Sequence, residues 1–138
     1  MVMKTVRKII KEMVDKYPND MELGSRVRWY IKWLYDGVYK RIGIPIVFDY
    51  HHHKFCTGGL SEREALELAC STWPKGITPV VHYSESRSKE RLDESIRPQA
   101  HSDYVYQYID TYGIDVDIMI EAKHKELAVQ RYKELHIN

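Results

Sequence analysis

The sequence is short of cysteine, of net charge and of long hydrophobic runs. Its two cysteines, Cys56 and Cys70, are too few for a disulfide scaffold. A reducing, intracellular (cytoplasmic) setting is therefore expected. No apolar stretch approaches the roughly 20 residues that span a bilayer. The basic N-terminus, interrupted by Glu12 and Asp15, lacks a signal-peptide apolar stretch and a small-residue cleavage site, so no membrane partner is expected. Internal repeats and low-complexity segments are also absent. A net charge of +1 argues neither for nor against nucleic acid. The distribution is uneven: residues 1–45 carry net +5 and residues 46–138 net −4.

What remains is a chain of 138 residues, 43% hydrophobic and 30% charged, long enough for one domain with a real core. Helical spacing runs over residues 3–16 until Pro18-Asn19-Asp20 breaks it. A second helix is expected over 26–41, with Val27, Tyr30, Ile31, Leu34 and Val38 on one face and Gly43 as its stop. Ile44 to Phe48 is a continuous apolar run, as in a strand covered on both faces. Ser61 with Glu64 has the capping-box pattern before a helix that Pro74 and Gly76 end. Pro79 to Tyr83 and Val116 to Glu121 are further strands. Residues 84–99 are expected as a long exposed loop, Asp103 to Tyr112 as a short helix ended by Gly113, and Lys123 to Leu135 as a closing helix containing solvated His124. The alternation of helix and strand indicates an α/β fold with parallel strands. Three strands alone leave two exposed sheet edges, which favour self-association.

Each strand ends in a residue that can bind metal: Asp49, His82 and Glu121. Sites of parallel α/β folds collect at the carboxyl ends of strands. Asp49 opens Asp49-Tyr50-His51-His52-His53, and a turn after the strand can aim Asp49 and His52 together. His101 lies in a loop that can return to the same edge. Carboxylate with imidazole suits Mn²⁺, Fe²⁺ or Zn²⁺ better than Ca²⁺. Singly these signals have plainer readings: three histidines as surface polarity, His82 as a hydrogen-bonded core residue, Glu121 as a partner of Lys123 or Lys125. Their shared placement at strand ends favours the metal reading, with Asp49, His52, His82, His101 and Glu121 as ligands. Trp29, Trp33 and Trp73 are read as packing residues. Arg87, Lys89, Arg91 and Arg97 slightly favour a phosphate-bearing partner, an inference diluted by Glu85, Glu90, Asp93 and Glu94.

At these residues the chain resembles the UV-damage endonuclease family. The matching text is Gly43 to His53, Leu60-Ser61-Glu62 with Glu64-Ala65-Leu66, Val81 to Ser84, Ala100 to Val105, and Ile120 to Lys123 with Lys125-Glu126. The resemblance implies the carboxyl-terminal half of a metal-dependent TIM barrel over residues 26–138, after a divergent N-terminal helical segment, 1–25. It implies an enzyme that nicks double-stranded DNA 5′ to ultraviolet photoproducts with a cluster of divalent ions, Mn²⁺ foremost and Mg²⁺ or Zn²⁺ as alternatives. Asp49, His82 and Glu121 would be the catalytic ligands, His52 and His101 further ligands, and Tyr50, His51 and Tyr83 their supports. Three departures stand out. The first half of the barrel and its ligands are not found. Val80 stands where the family often has a lysine near the metals. The family's metal-bridging glutamate has only Glu22 as a candidate. A truncated or split enzyme is therefore expected, served by a companion chain carrying the first strands or by homo-oligomerisation. The alternatives are an inactive metal-binding remnant and another metalloenzyme of the endonuclease IV or sugar isomerase type.

Overall fold

Gly43 ends the first helical stretch among the described residues, and its φ of +68° is the left-handed conformation that a helix C-terminus favours. The computed structural model describes residues 30–137. The helix expected over 3–16, its break at Pro18, and the candidates Glu22 and Trp29 lie outside the described residues. The helix expected over 26–41 is present in its described part as α1 (Tyr30–Trp33), a π-helical turn (Leu34–Tyr39) and α2 (Lys40–Ile42). The wider turn contains Gly37, a weak helix former. It is bridged by Lys40 Nζ donating to Asp36 Oδ1 at 2.8 Å and by the Tyr35 and Tyr39 rings at 5.4 Å. Because the turn is not 3.6-periodic, Leu34 and Val38 are only half-buried.

Two compact units share the described residues: 30–46 with 55–77, and 47–54 with 78–137. In the first, α1 packs against α4 (Glu62–Cys70), and the core is Ile31, Ile46, Ala65, Leu66 and Ala69. The expected capping box is fully formed. Ser61 Oγ accepts from the Glu64 backbone N–H, and Glu64 accepts from the Ser61 backbone N–H. The Ser61 backbone N–H and the Ser61 hydroxyl, both donating to the Glu64 carboxylate, hold it below its ordinary pKa.

The expected strand Ile44 to Phe48 is corrected. Only Phe48–Asp49 is a strand, β1, and Ile44 is exposed. The reason lies in Ile46, whose N–H donates to Thr72 Oγ1 at 2.8 Å and whose carbonyl accepts from Trp73 Nε1 at 2.8 Å. Side chains satisfy the backbone there instead of a neighbouring strand.

In the second unit β1, β2 (Val80–Tyr83) and β3 (Asp117–Ile120) form a parallel sheet in that order. Asp49 pairs with His82, and His82 with Met119. Phe48, Tyr50, Val81, Tyr83, Val105, Ile109, Ala128 and Tyr132 make the core. β3 is only half covered, with Met119 exposed. α3 (Tyr50–Phe55) starts directly after β1.

Three further expectations change. Residues 84–99 are not all loop, because α5 (Arg87–Arg91) forms within them. The closing helix, α6 (Glu126–His136), starts three residues late, after Lys125 at φ +48° and ψ −121°. His124 therefore precedes the helix, and its ring lies 4.6 Å from Tyr104. Asp103 to Tyr112 is not a helix. Five of its N–H groups go to distant acceptors: those of Asp103 and Tyr104 to Glu90, those of Tyr106 and Gln107 to Glu85, and that of Ile109 to the Tyr132 hydroxyl. Donors bound this way are not available to an i−4 carbonyl.

Candidate metal centre

The strand register brings the centre together. Asp49 and His82 are lateral partners on β1 and β2. Glu121 follows β3, where its N–H donates to the Tyr83 carbonyl at 2.9 Å and continues the ladder by one residue. Ligand-type atoms of Asp49, His82 and Glu121 all lie within 4.8 Å of one another. His82 Nδ1 is 3.1 Å from Glu121 Oε1.

Asp49 is buried and serves as a helix cap. Its Oδ1 accepts from the His52 backbone N–H at 2.8 Å, and its Oδ2 lies 2.8 Å from His52 Nδ1. A strand that runs straight into a helix thus fixes the carboxylate from both oxygens. The His52 side chain is 60% exposed and reaches the centre through Asp49. His101 comes from the other side, with Nε2 3.9 Å from Glu121 Oε2. Its backbone forms an antiparallel bridge with Ser86, supported by Arg87 N–H to Ala100 O at 2.8 Å and Ser102 N–H to Glu85 O at 2.9 Å. All five expected residues therefore form one chain of neighbours, with Asp49, His82 and Glu121 at its centre.

The surrounding side chains fasten this arrangement. His51 is buried and donates Nε2–H to the Gln99 carbonyl at 3.1 Å, two residues from His101, and its ring meets that of His101 edge-on at 5.6 Å. Burial pushes the His51 imidazole below its ordinary pKa, against the opposing Gln99 carbonyl. Tyr50 donates its hydroxyl to the Asp110 carbonyl at 2.9 Å and packs against Tyr83. His53 is buried against Phe48. The three histidines thus diverge: His52 beside Asp49, His51 toward the His101 loop, His53 into the core.

The donor set fits a divalent ion. Two carboxylates and one imidazole offer a pair of negative charges and a borderline nitrogen, the set favoured by Mn²⁺, Fe²⁺ and Zn²⁺. An ion about 2.0–2.2 Å from each donor holds its ligands within roughly 4.4 Å of one another. The present spacing needs only a few tenths of an ångström of adjustment, about one side-chain torsion.

Sequence reading missed Glu85 and Glu90, which hold the His101 loop. It counted Arg87 and Arg91 toward a phosphate partner, whereas both guanidinium groups face Asp103. The only available signal was the run of mixed charges from Glu85 to Arg91, which carries no information about distant backbone donors. Among the described residues no helix is long and apolar enough to cross a membrane.

The family described as UV-endonuclease UvdE matches residues 6–137. A UV DNA damage endonuclease of Bacillus velezensis is 30% identical over 135 residues, covering 91% of this chain and 40% of that protein. A UV-damage endonuclease of Schizosaccharomyces pombe is 38% identical over 96 residues, covering 65% of this chain and 16% of that protein. The crystal structure of SacUVDE is similar with a TM-score of 0.52 and 32% identity, over 70% of this chain and 34% of that one. The chain thus spans less than half the length of each relative. Its parallel sheet with flanking helices is part of a TIM-type barrel, as the resemblance implied.

Proposed function

The chain belongs to the UV-endonuclease UvdE family, and from that premise we propose that it serves metal-dependent hydrolysis of a DNA phosphodiester 5′ to an ultraviolet photoproduct. The observation that carries this reading is the convergence of Asp49, His82 and Glu121 within 4.8 Å at the carboxyl ends of three adjacent parallel strands. Held by Asp49, His82 and Glu121, a divalent ion, Mn²⁺ foremost, would supply Lewis-acid charge at a phosphoryl oxygen and acidify water.

The protein's own contribution is placement. Asp49 and Glu121 bring two negative charges together, a repulsive arrangement that a cation relieves. The Asp49 carboxylate is buried and held by the His52 backbone, so it needs little rearrangement on binding. His82 adds an imidazole nitrogen between the carboxylates, and His52 and His101 stand at either end as further ligands. Damaged double-stranded DNA is the substrate class.

Incubation of the purified chain with Mn²⁺ and an irradiated duplex tests the reading, alone and with the amino-terminal half of the Bacillus velezensis relative added. A nick 5′ to the lesion is expected in the complemented reaction and not with unirradiated duplex. Absence of nicking in both reactions while Mn²⁺ remains bound would replace the endonuclease by a metal-binding remnant.

A further inference from the structure

The segment bearing His101 has no helix or sheet of its own, yet its peptide groups are bonded on two sides. Ser102 N–H donates to the Glu85 carbonyl at 2.9 Å. Asp103 N–H donates to Glu90 Oε2 at 2.8 Å, and Tyr104 N–H to Glu90 Oε1 at 3.2 Å. On the opposite side the carbonyls of Ser102 and Asp103 accept from Lys123 and His124 N–H at 2.9 and 3.1 Å. Those two donors lie two and three residues beyond Glu121. The residues just after His101 are thus held between the Glu121 segment and the Glu90 carboxylate.

Glu90 is half-buried on α5 and uses both oxygens, one for each consecutive peptide N–H. Oε1 also accepts the Tyr106 hydroxyl at 2.9 Å. Asp103, between the two peptides, is in turn gripped by Arg91 and approached by Arg87 from the same helix. A side chain that takes two successive backbone donors does the work of a turn of helix without its carbonyls. Without it, two donors in a partly buried loop lose their acceptor, at substantial cost, and the hold on the His101 segment loosens on that side.

We propose that Glu90 is a positioning residue for the metal centre, acting through the backbone of Asp103 and Tyr104 to keep His101 turned toward Glu121. The role rests on the metal-centre reading of His101 and Glu121 and adds to it a residue that touches no ligand atom. Outer groups that orient metal ligands commonly change affinity 10–100-fold.

The test is a double-mutant cycle on the full chain, read by Mn²⁺ titration and by thermal melting. Glu90→Gln keeps the shape but turns one acceptor oxygen into an N–H₂ facing a peptide N–H. It is expected to weaken Mn²⁺ binding about 10-fold in the wild-type background. In the His101→Ala background it is expected to change affinity less than about 2-fold, while lowering the melting temperature equally in both. Glu90→Asp, which keeps the charge and withdraws the carboxylate by one methylene, goes through the same cycle and shows the same dependence on His101 should Glu90→Gln fail to fold. An equal loss of affinity in both backgrounds, or none in either, overturns the positioning role alone. A wild-type chain that binds no Mn²⁺ overturns the metal-centre reading and this role with it, whereas one that binds it equally well without His101 removes His101 from the ligands and overturns this role alone.

Discussion

Glu121→Gln is expected to weaken Mn²⁺ binding by more than about 100-fold while leaving the fold intact. Groups that merely orient a ligand account for 10–100-fold, so loss of a ligand itself sets that as a lower bound. Glu121 is the hub of the centre, with Oε1 3.1 Å from His82 Nδ1 and Oε2 3.9 Å from His101 Nε2. The substitution removes one of two negative charges and one of two oxygens but preserves volume. The side chain is 32% exposed, so burial does not punish the change. The backbone N–H of residue 121 still reaches the Tyr83 carbonyl, because that bond belongs to the main chain. Isothermal titration with Mn²⁺, paired with a thermal melt, separates the effects. Affinity within about 3-fold of wild type at unchanged melting temperature would remove Glu121 from the ligand set, since outer groups alone exceed that factor.

The second large effect concerns the mount. Phe48→Ala is expected to cost about 3–5 kcal/mol of folding stability, the usual range for emptying a buried aromatic site. Phe48 is fully buried, packs edge-on against Tyr50 at 4.8 Å and lies 5.4 Å from His53. It is one of only two residues in β1, and the other is Asp49. The cavity therefore opens beside the residue that carries the carboxylate, on the opposite face of the strand, and Mn²⁺ affinity should fall together with stability. Met119, also a strand residue, is 51% exposed, and Met119→Ala should stay within about 0.5 kcal/mol of wild type. Urea denaturation of the two variants makes the comparison. Equal midpoints would mean that β1 is not the anchor of the sheet.

Much of this was legible in the residues themselves. The α4 helix announced itself through Ser61 and Glu64, because a capping box is local and its chemistry is complete within four positions. β2 and β3 were legible as short apolar runs, and the placement of Asp49, His82 and Glu121 at strand ends followed from those runs. The failures share a cause. Ile44 to Val47 looked like strand, but Thr72 and Trp73, more than 25 residues away, took the backbone groups of Ile46. Asp103 to Tyr112 looked like helix, but Glu85, Glu90 and Tyr132 took its donors. Side-chain capture of a distant backbone leaves no period in the sequence. The spacing of Asp49 and His52 was informative in a second sense as well, because a residue that caps a helix through its third N–H is also brought beside that third side chain.

Anomalous diffraction at the manganese edge from crystals soaked in Mn²⁺ tests the central claim most directly. The account predicts a peak with Asp49, His82 and Glu121 donors roughly 2.0–2.6 Å away, the range for oxygen and nitrogen ligands of divalent ions. Peaks confined to other surface carboxylates, with Asp49 and Glu121 unchanged, would contradict it.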